Sequence, residues 1–278
     1  MKRTIPILLL AAASVCVLYG CKGKGDDKLD VSSIHTTAAE SLRETMAPQT
    51  TAEETTAAET EPASSEESES GQAASASYEV LTWHPQGQDG VSVQYPRISG
   101  LGDDSREEQI NTLLEENALA LFHSMEKAPA SMEINCRVDS LDRSRLTAVY
   151  DGSYTGKDAA HPVQVFYTNT VDLDEVRSLG FNDYSDAYTM AGYVMSEDVE
   201  FFGADPLLTE ELLKYRADQS LEYFTALFNQ ADFPLDPDSD AAFPESFSYT
   251  GGSMLYFSIP VPHALGDYAL IQFPLDGK

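Results

Sequence analysis

The chain has 278 residues, with 17 Lys and Arg against 46 Asp and Glu, for a formal net charge of −29. That charge disfavours nucleic acid and anionic lipid head groups as partners and would draw in a cationic protein, a cationic peptide or a divalent metal. Of three cysteines, Cys16 and Cys21 fall in the first 21 residues, so the rest of the chain holds Cys136 alone and has no intrachain disulfide.

The N-terminus reads as an export signal. Lys2 and Arg3 precede an apolar run from Ile5 to Leu18, and Leu18-Tyr19-Gly20-Cys21 closes it. A run of about 14 residues is too short for a spanning helix, which needs about 20, and it has the layout of a cleaved signal. The Gly20-Cys21 pair resembles a lipobox, with Tyr19 standing where a smaller residue is usual. The resemblance implies that residues 1–20 are removed, that Cys21 carries lipid, and that the chain is a lipoprotein held on the extracellular face of a cell membrane. Residues 21–77 follow as a Thr-, Ala-, Glu- and Ser-rich stretch, as in Thr50-Thr51-Ala52-Glu53-Glu54. It has too little apolar surface to offset ordering entropy, and a disordered acidic linker is expected. A coil of roughly 55 residues would reach about 40 Å from the anchor.

From Tyr78 onward aromatic and β-branched residues appear in periodic patterns, and residues 78–278 are expected to form one folded body. It carries 11 Lys and Arg against 34 Asp and Glu, a net charge of −23. Tyr78–Trp83 and Gly90–Tyr95 alternate as strands of a hairpin around Pro85–Gly90. Asp104 and Glu107 have the spacing of a cap and its reciprocal partner. With Ile110, Leu113, Leu114, Leu121 and Phe122 they predict a helix over Ser105–Lys127. Ser131–Val138, Arg145–Tyr154 and Val163–Leu173 predict an antiparallel meander. Thr209 opens a second helix, with Leu212, Leu213, Leu221, Phe224, Leu227 and Phe228 on its buried stripe, ending near Asn229. Ser246–Thr250, the Gly251-Gly252 turn, Met254–Ile259 and Tyr268–Phe273 supply the closing strands. The fold class is α+β, an antiparallel sheet with two main helices after a disordered tether.

The series Tyr95-Pro96-Arg97-Ile98-Ser99-Gly100-Leu101, then Ile110-Asn111, Ala160-His161-Pro162, Thr168-Asn169, Asp172-Leu173, Tyr249–Tyr256, Gly266 and Ile271–Pro274 resembles the extracellular domain of RsiV-type anti-sigma factors. That domain also occurs at the front of PdaC-type peptidoglycan deacetylases. The resemblance spans Tyr78 to Leu275 and rests on order and spacing. The family tends to have a Gly-containing turn after the Asp-Leu pair, where this chain runs Asp174-Glu175-Val176-Arg177, and the His263 segment replaces a more acidic one. The resemblance implies a mixed α/β domain whose best-known member binds lysozyme. It also implies a recognition module without the sigma-binding segment or the deacetylase domain. A cationic, lysozyme-like muramidase or a cell-wall ligand is the expected partner, in envelope sensing or defence. An accessory or hydrolytic peptidoglycan-acting lipoprotein is the alternative.

The sequence has no marked catalytic centre. His84, His123, His161 and His263 include no His-Glu-x-x-His and no pair at ligand spacing on a helix; there is no Gly-x-Ser-x-Gly elbow and no phosphate-cradling loop. Neither an enzyme nor a cofactor or metal site is expected, and the pair Ser153 and His161 carries no motif. Asp236, Asp238 and Asp240 alternate like half a calcium loop, but Ala241 stands where such a loop needs Gly, which favours an acidic solvated turn. Candidate contact residues are His161, Tyr167 and Asn169, in the segment that the resemblance includes. His161 itself reads either as part of a recognition loop or as a structural imidazole bonded to backbone. Tyr249, Tyr256 and Phe257 read as sheet core, and Cys136 as a small buried hydrophobe.

Overall fold

A computed structural model describes residues 76–235 and 241–275. The export signal, Cys21, residues 22–75 of the linker and the Asp236–Asp240 run lie outside the described residues, while Ser77, placed in the linker, opens the first strand. Among the described residues ten strands form two sheets, a six-stranded one in the order β1-β2-β3-β4-β5-β6 and a four-stranded one in the order β7-β10-β9-β8. The α+β class is as expected; the division into two sheets is the feature that periodicity did not reveal.

The first sheet starts with the hairpin β1 (Ser77–Trp83) and β2 (Val91–Ser99). Helix α1 (Asp104–Ser124) then crosses over to β3 (Ser131–Leu141), and β2 and β3 pair in parallel over Val91–Val93. A parallel neighbour requires such a crossover. Beyond Val93 the two strands separate, and Gln94 Oε1 accepts the Cys136 N–H at 3.2 Å. Pro96 falls past that divergence, where its missing N–H interrupts no ladder with β3. Strands β4 (Arg145–Thr155), β5 (Val163–Asp172) and β6 (Arg177–Leu179) continue as the expected meander.

The α1 cap sits one residue earlier than the sequence suggested. Asp103 is the N-cap, its Oδ1 accepting from the Ser105 and Arg106 N–H groups at 3.1 Å each. Glu107 instead reaches back to the incoming loop, where its Oε2 accepts from Gly100 N at 2.9 Å and Leu101 N at 3.3 Å. After β5, Asp172 Oδ1 accepts from Asp174 N and Glu175 N at 2.9 and 2.8 Å. Val176 then adopts a left-handed φ of 53°. That backbone region favours Gly, and this is the turn where the resembling family tends to carry one.

The second predicted helix is two. Helix α4 (Pro206–Ala217) is capped by Asp205 and α5 (Leu221–Asn229) by Ser220, with the break at Asp218-Gln219-Ser220. A short α2 (Phe181–Tyr184) and α3 (Ala187–Met195) precede them and were not anticipated. Strands β7 (Glu200–Phe201), β8 (Ser248–Gly251), β9 (Met254–Pro260) and β10 (Tyr268–Pro274) make the second sheet. Among the described residues no helix is long and apolar enough to cross a membrane.

The layers follow from side-chain direction. Trp83 meets Phe122 of α1 edge-on at 5.0 Å, and Tyr167 donates its hydroxyl to Ala118 O of α1 at 2.8 Å, so one face of the first sheet packs on α1. Phe166 stacks on Tyr268 at 5.4 Å, and Thr168 Oγ1 donates to Ser248 O at 2.7 Å, so the other face meets the second sheet along β5. The far face of the second sheet is closed by α2, α3 and α5. There Phe181 and Phe228 stack at 4.8 Å and both meet Phe257 edge-on. Cys136 is half-buried beside Tyr150, and burial pushes its thiol up to about 12, so it stays protonated at neutral pH.

Candidate functional site

Cross-strand register places a row of rings along the seam between the sheets. On the first sheet, Asn135, Asp151 and Phe166 are aligned across β3, β4 and β5, and Glu133, Ser153 and Gln164 form the next row. On the second, Tyr249, Tyr256, Gln272 and Glu200 are aligned across β8, β9, β10 and β7. Partners in such rows share a face of the sheet. Phe166 contacts Tyr268 at 5.4 Å and Tyr249 at 6.4 Å; Tyr249 stacks on Tyr256 at 5.0 Å, and Phe202 meets Tyr256 edge-on at 5.0 Å. The row passes from buried Phe166 and Tyr249 to Phe202, which is 38% exposed.

Charges flank the rings. The Arg137 guanidinium lies 5.9 Å from the centre of the Tyr249 ring and holds Asp139 Oδ1 at 2.5 Å. Burial raises the Asp151 carboxyl above its usual range, and Arg137 offsets part of that rise. Burial also pushes Tyr268 up to about 12, with the Asp151 charge adding to it. Gln272 Nε2 donates to Glu200 Oε2 at 2.7 Å at the far end of the row. Chemically, the seam offers ring faces and edges, three phenols and several carboxylates beside the Arg137 guanidinium. This set suits binding a cationic or amphipathic surface.

The near end of the seam is a histidine pair. His161, on the β4–β5 loop, stacks on His263 with ring centres 5.9 Å apart. His263 Nδ1 lies 2.9 and 3.0 Å from the two Asp267 carboxylate oxygens, and Asp267 Oδ2 accepts the Gln164 N–H at 2.8 Å. The loop carrying His161 is thereby tied to the β9–β10 connection. The other two histidines among the described residues lie elsewhere: His84 Nδ1 bonds Val91 O at 2.9 Å, and His123 packs beside Trp83 and Phe122. Among the described residues no group of three His, Cys, Asp or Glu could hold a metal ion, and no hydrogen bond joins Ser153 to His161.

The three candidate contact residues are not brought together. His161 is exposed at the seam's end, whereas Tyr167 and Asn169 are buried on the α1 side. There Asn117 Nδ2 donates to Asn169 Oδ1 at 3.1 Å and to Ser178 Oγ at 3.0 Å. Tyr167 stacks on its cross-strand partner Tyr150 at 4.5 Å. Phe257 is core, as expected, and Tyr249 is buried, while Tyr256 is half-buried in the seam.

The residue that sequence reasoning missed altogether is Asp232, only 3% exposed, with a left-handed φ of 64°. Its Oδ1 accepts from Ser248 N at 2.7 Å, and its Oδ2 from Phe181 N at 2.8 Å and Ser248 Oγ at 2.5 Å. Thr168 Oγ1 lies 3.3 Å from Oδ1. Gly180 leaves the room this needs, since a Cβ there would fall 2.9 Å from the Asp232 Cβ. Burial pushes the carboxyl up to about 7 against the pull of these donors. The Thr168 hydroxyl has one hydrogen, which serves Ser248 O, so it presents a lone pair to a protonated Asp232. The only sequence signal was an acid between Phe228 and Phe233, in a stretch that otherwise reads as a turn.

No family model matches the sequence, and no curated protein does. Among solved structures, a DUF3298 family member from Bacteroides fragilis is similar at 13% identity and a TM-score of 0.38, covering 73% of this chain and 91% of that one. A DUF3298 family protein from Pseudomonas aeruginosa gives 13% identity and a TM-score of 0.38, covering 73% and 92%.

Proposed function

We propose that the folded body is a non-catalytic binding module, displayed on the outer face of a cell membrane by lipid on Cys21, and that its seam receives a cationic protein such as a lysozyme-like muramidase. The observation that supports this most directly is the ring row ending in exposed Phe202 and flanked by Asp139, Asp151, Asp267 and Glu200, with Arg137 as its cation. The resemblance to the RsiV-type extracellular domain supplies the named partner. Attraction between a body at −23 and a cationic partner speeds encounter and weakens with salt.

Calorimetric titration of the full chain with lysozyme at low and at moderate salt tests the reading. Binding heat that shrinks with salt is expected, together with an affinity loss of at least about tenfold on Phe202→Ala with Asp151→Lys. Absence of heat at both salts removes the partner; unchanged affinity in the variant removes the seam. Cys21→Ala should release the chain into the medium or leave it uncleaved. Lipid labelling that survives the substitution overturns the anchor.

A further inference from the structure

Three of the four edges that end the two sheets are short or engaged. Strand β6 has three residues and β7 has two, while the Ser248 N–H and C=O of β8 are bonded by Asp232 and Thr168. Strand β1 differs. It pairs with β2 in unbroken register from Ser77↔Ser99 to Trp83↔Val93, and among the described residues no strand meets its other side. An open edge is normally guarded by a bulge, a proline, a lysine or brevity. The seven residues Ser77–Trp83 have none of these, and Tyr78 and Val80 are 47% and 42% exposed.

We propose that β1 is a self-association edge, pairing antiparallel with β1 of a second copy about a two-fold axis at Val80. Charge argues for a copy over a cationic partner. A body at −23 can approach its own kind only through a patch nearly free of charge, and β1 holds one carboxylate, Glu79, in seven residues. A cationic partner is drawn instead to the acids of the seam. Register supports the axis. Val80 is the midpoint of the strand, and pairing about it sets Tyr78 opposite Thr82 and Glu79 opposite Leu81. An axis at Glu79 would place two carboxylates face to face, which is unfavourable. The result is an isologous contact that joins two six-stranded sheets into one of twelve. A single-strand edge makes a small interface, so the association is weak and grows with local concentration.

Paired residues on neighbouring strands have Cβ atoms about 5 Å apart, close enough for a disulfide after slight adjustment. In the full chain carrying Cys136→Ser, Val80→Cys should give on mild oxidation at least about fivefold more covalent dimer than Thr112→Cys on the exposed face of α1, or than the Cys136→Ser parent. Val80→Lys should lower the dimer fraction seen by sedimentation at high protein concentration, and its exposed edge position keeps folding intact, which a thermal melt verifies. A Val80→Cys dimer band no stronger than that of Thr112→Cys, or sedimentation unchanged by Val80→Lys, overturns the proposal.

Discussion

Two polar networks are buried on opposite faces of β5, and they are satisfied to different degrees. On the α1 side, Asn117, Asn169 and Ser178 form a neutral amide–hydroxyl cluster. Beside it, Asn169 Nδ2 and the Tyr150 hydroxyl have no hydrogen-bond partner of good geometry. Between the sheets, Asp232 is met by two backbone N–H groups and two hydroxyls, none wasted. The contrast follows from the cost of burial. A neutral group left short of a partner costs a modest desolvation penalty, whereas a buried carboxylate left short costs far more. Asp232 avoids that cost through full hydrogen bonding and the proton it holds below about pH 7, and its network alone bonds β5, α2 and β8 together.

Removing the carboxyl hub should have the largest effect. Asp232→Ala strands the donors at Phe181 N, Ser248 N and Ser248 Oγ, each at about 1–3 kcal/mol. A loss of about 3 kcal/mol or more is expected in denaturant unfolding; a loss below about 1 kcal/mol would mean that water replaces the carboxylate. The next effect is a pH dependence. Because Asp232 is pushed up to about 7 in the folded chain, the native state holds a proton that the unfolded chain releases near pH 4. Its contribution is full below that value and is lost as pH rises to 7, by up to about 1.4 kcal/mol per unit. The test is the difference between the native chain and Asp232→Asn, which cannot titrate: the native chain's stability should fall more steeply from pH 4 to 7. Parallel profiles would place the folded pKa near its ordinary value.

The same contrast explains what the sequence could show. The α1 side was legible because its parts repeat locally: Ile110, Leu114 and Leu121 at helical spacing, and Met132 and Ile134 alternating along β3, are all buried. The antiparallel order of β3, β4 and β5 followed from strands joined by short connections. The second sheet was not legible as a separate sheet, because β7 has two residues and its partner β10 lies some seventy positions later. Helix α3 was missed although Asp186 caps it, since its mostly apolar nine residues show no polar face to mark a period. The seam depends on long-range register, so Tyr249 and Tyr256 could be read as strand residues but not as neighbours of Phe166 and Phe202. Asp232 acts through bonds to residues 16, 51 and 64 positions away, and no local pattern carries that.

The neutral network predicts smaller effects, which sharpen the comparison. Asn117→Ala removes donors to Asn169 Oδ1 and Ser178 Oγ. It should cost about 1–2 kcal/mol, less than the loss at Asp232. Equal losses would mean that completeness does not distinguish the two networks.

Tyr150→Phe is the most discriminating small change. The Tyr150 ring is fully buried and stacked on Tyr167, so its apolar contacts survive the substitution. Its hydroxyl lies against the Cys136 thiol and the Asn169 amide without a well-formed bond to either. Deleting an unpartnered hydroxyl removes a desolvation cost and breaks nothing, so stability should stay within about 0.5 kcal/mol of the native chain or rise slightly. A loss above about 1 kcal/mol in the same unfolding assay would show that the hydroxyl is bonded through a buried water. The amide network would then be as complete as the Asp232 network, and the difference between the two faces of β5 would lie in the titratable carboxyl alone.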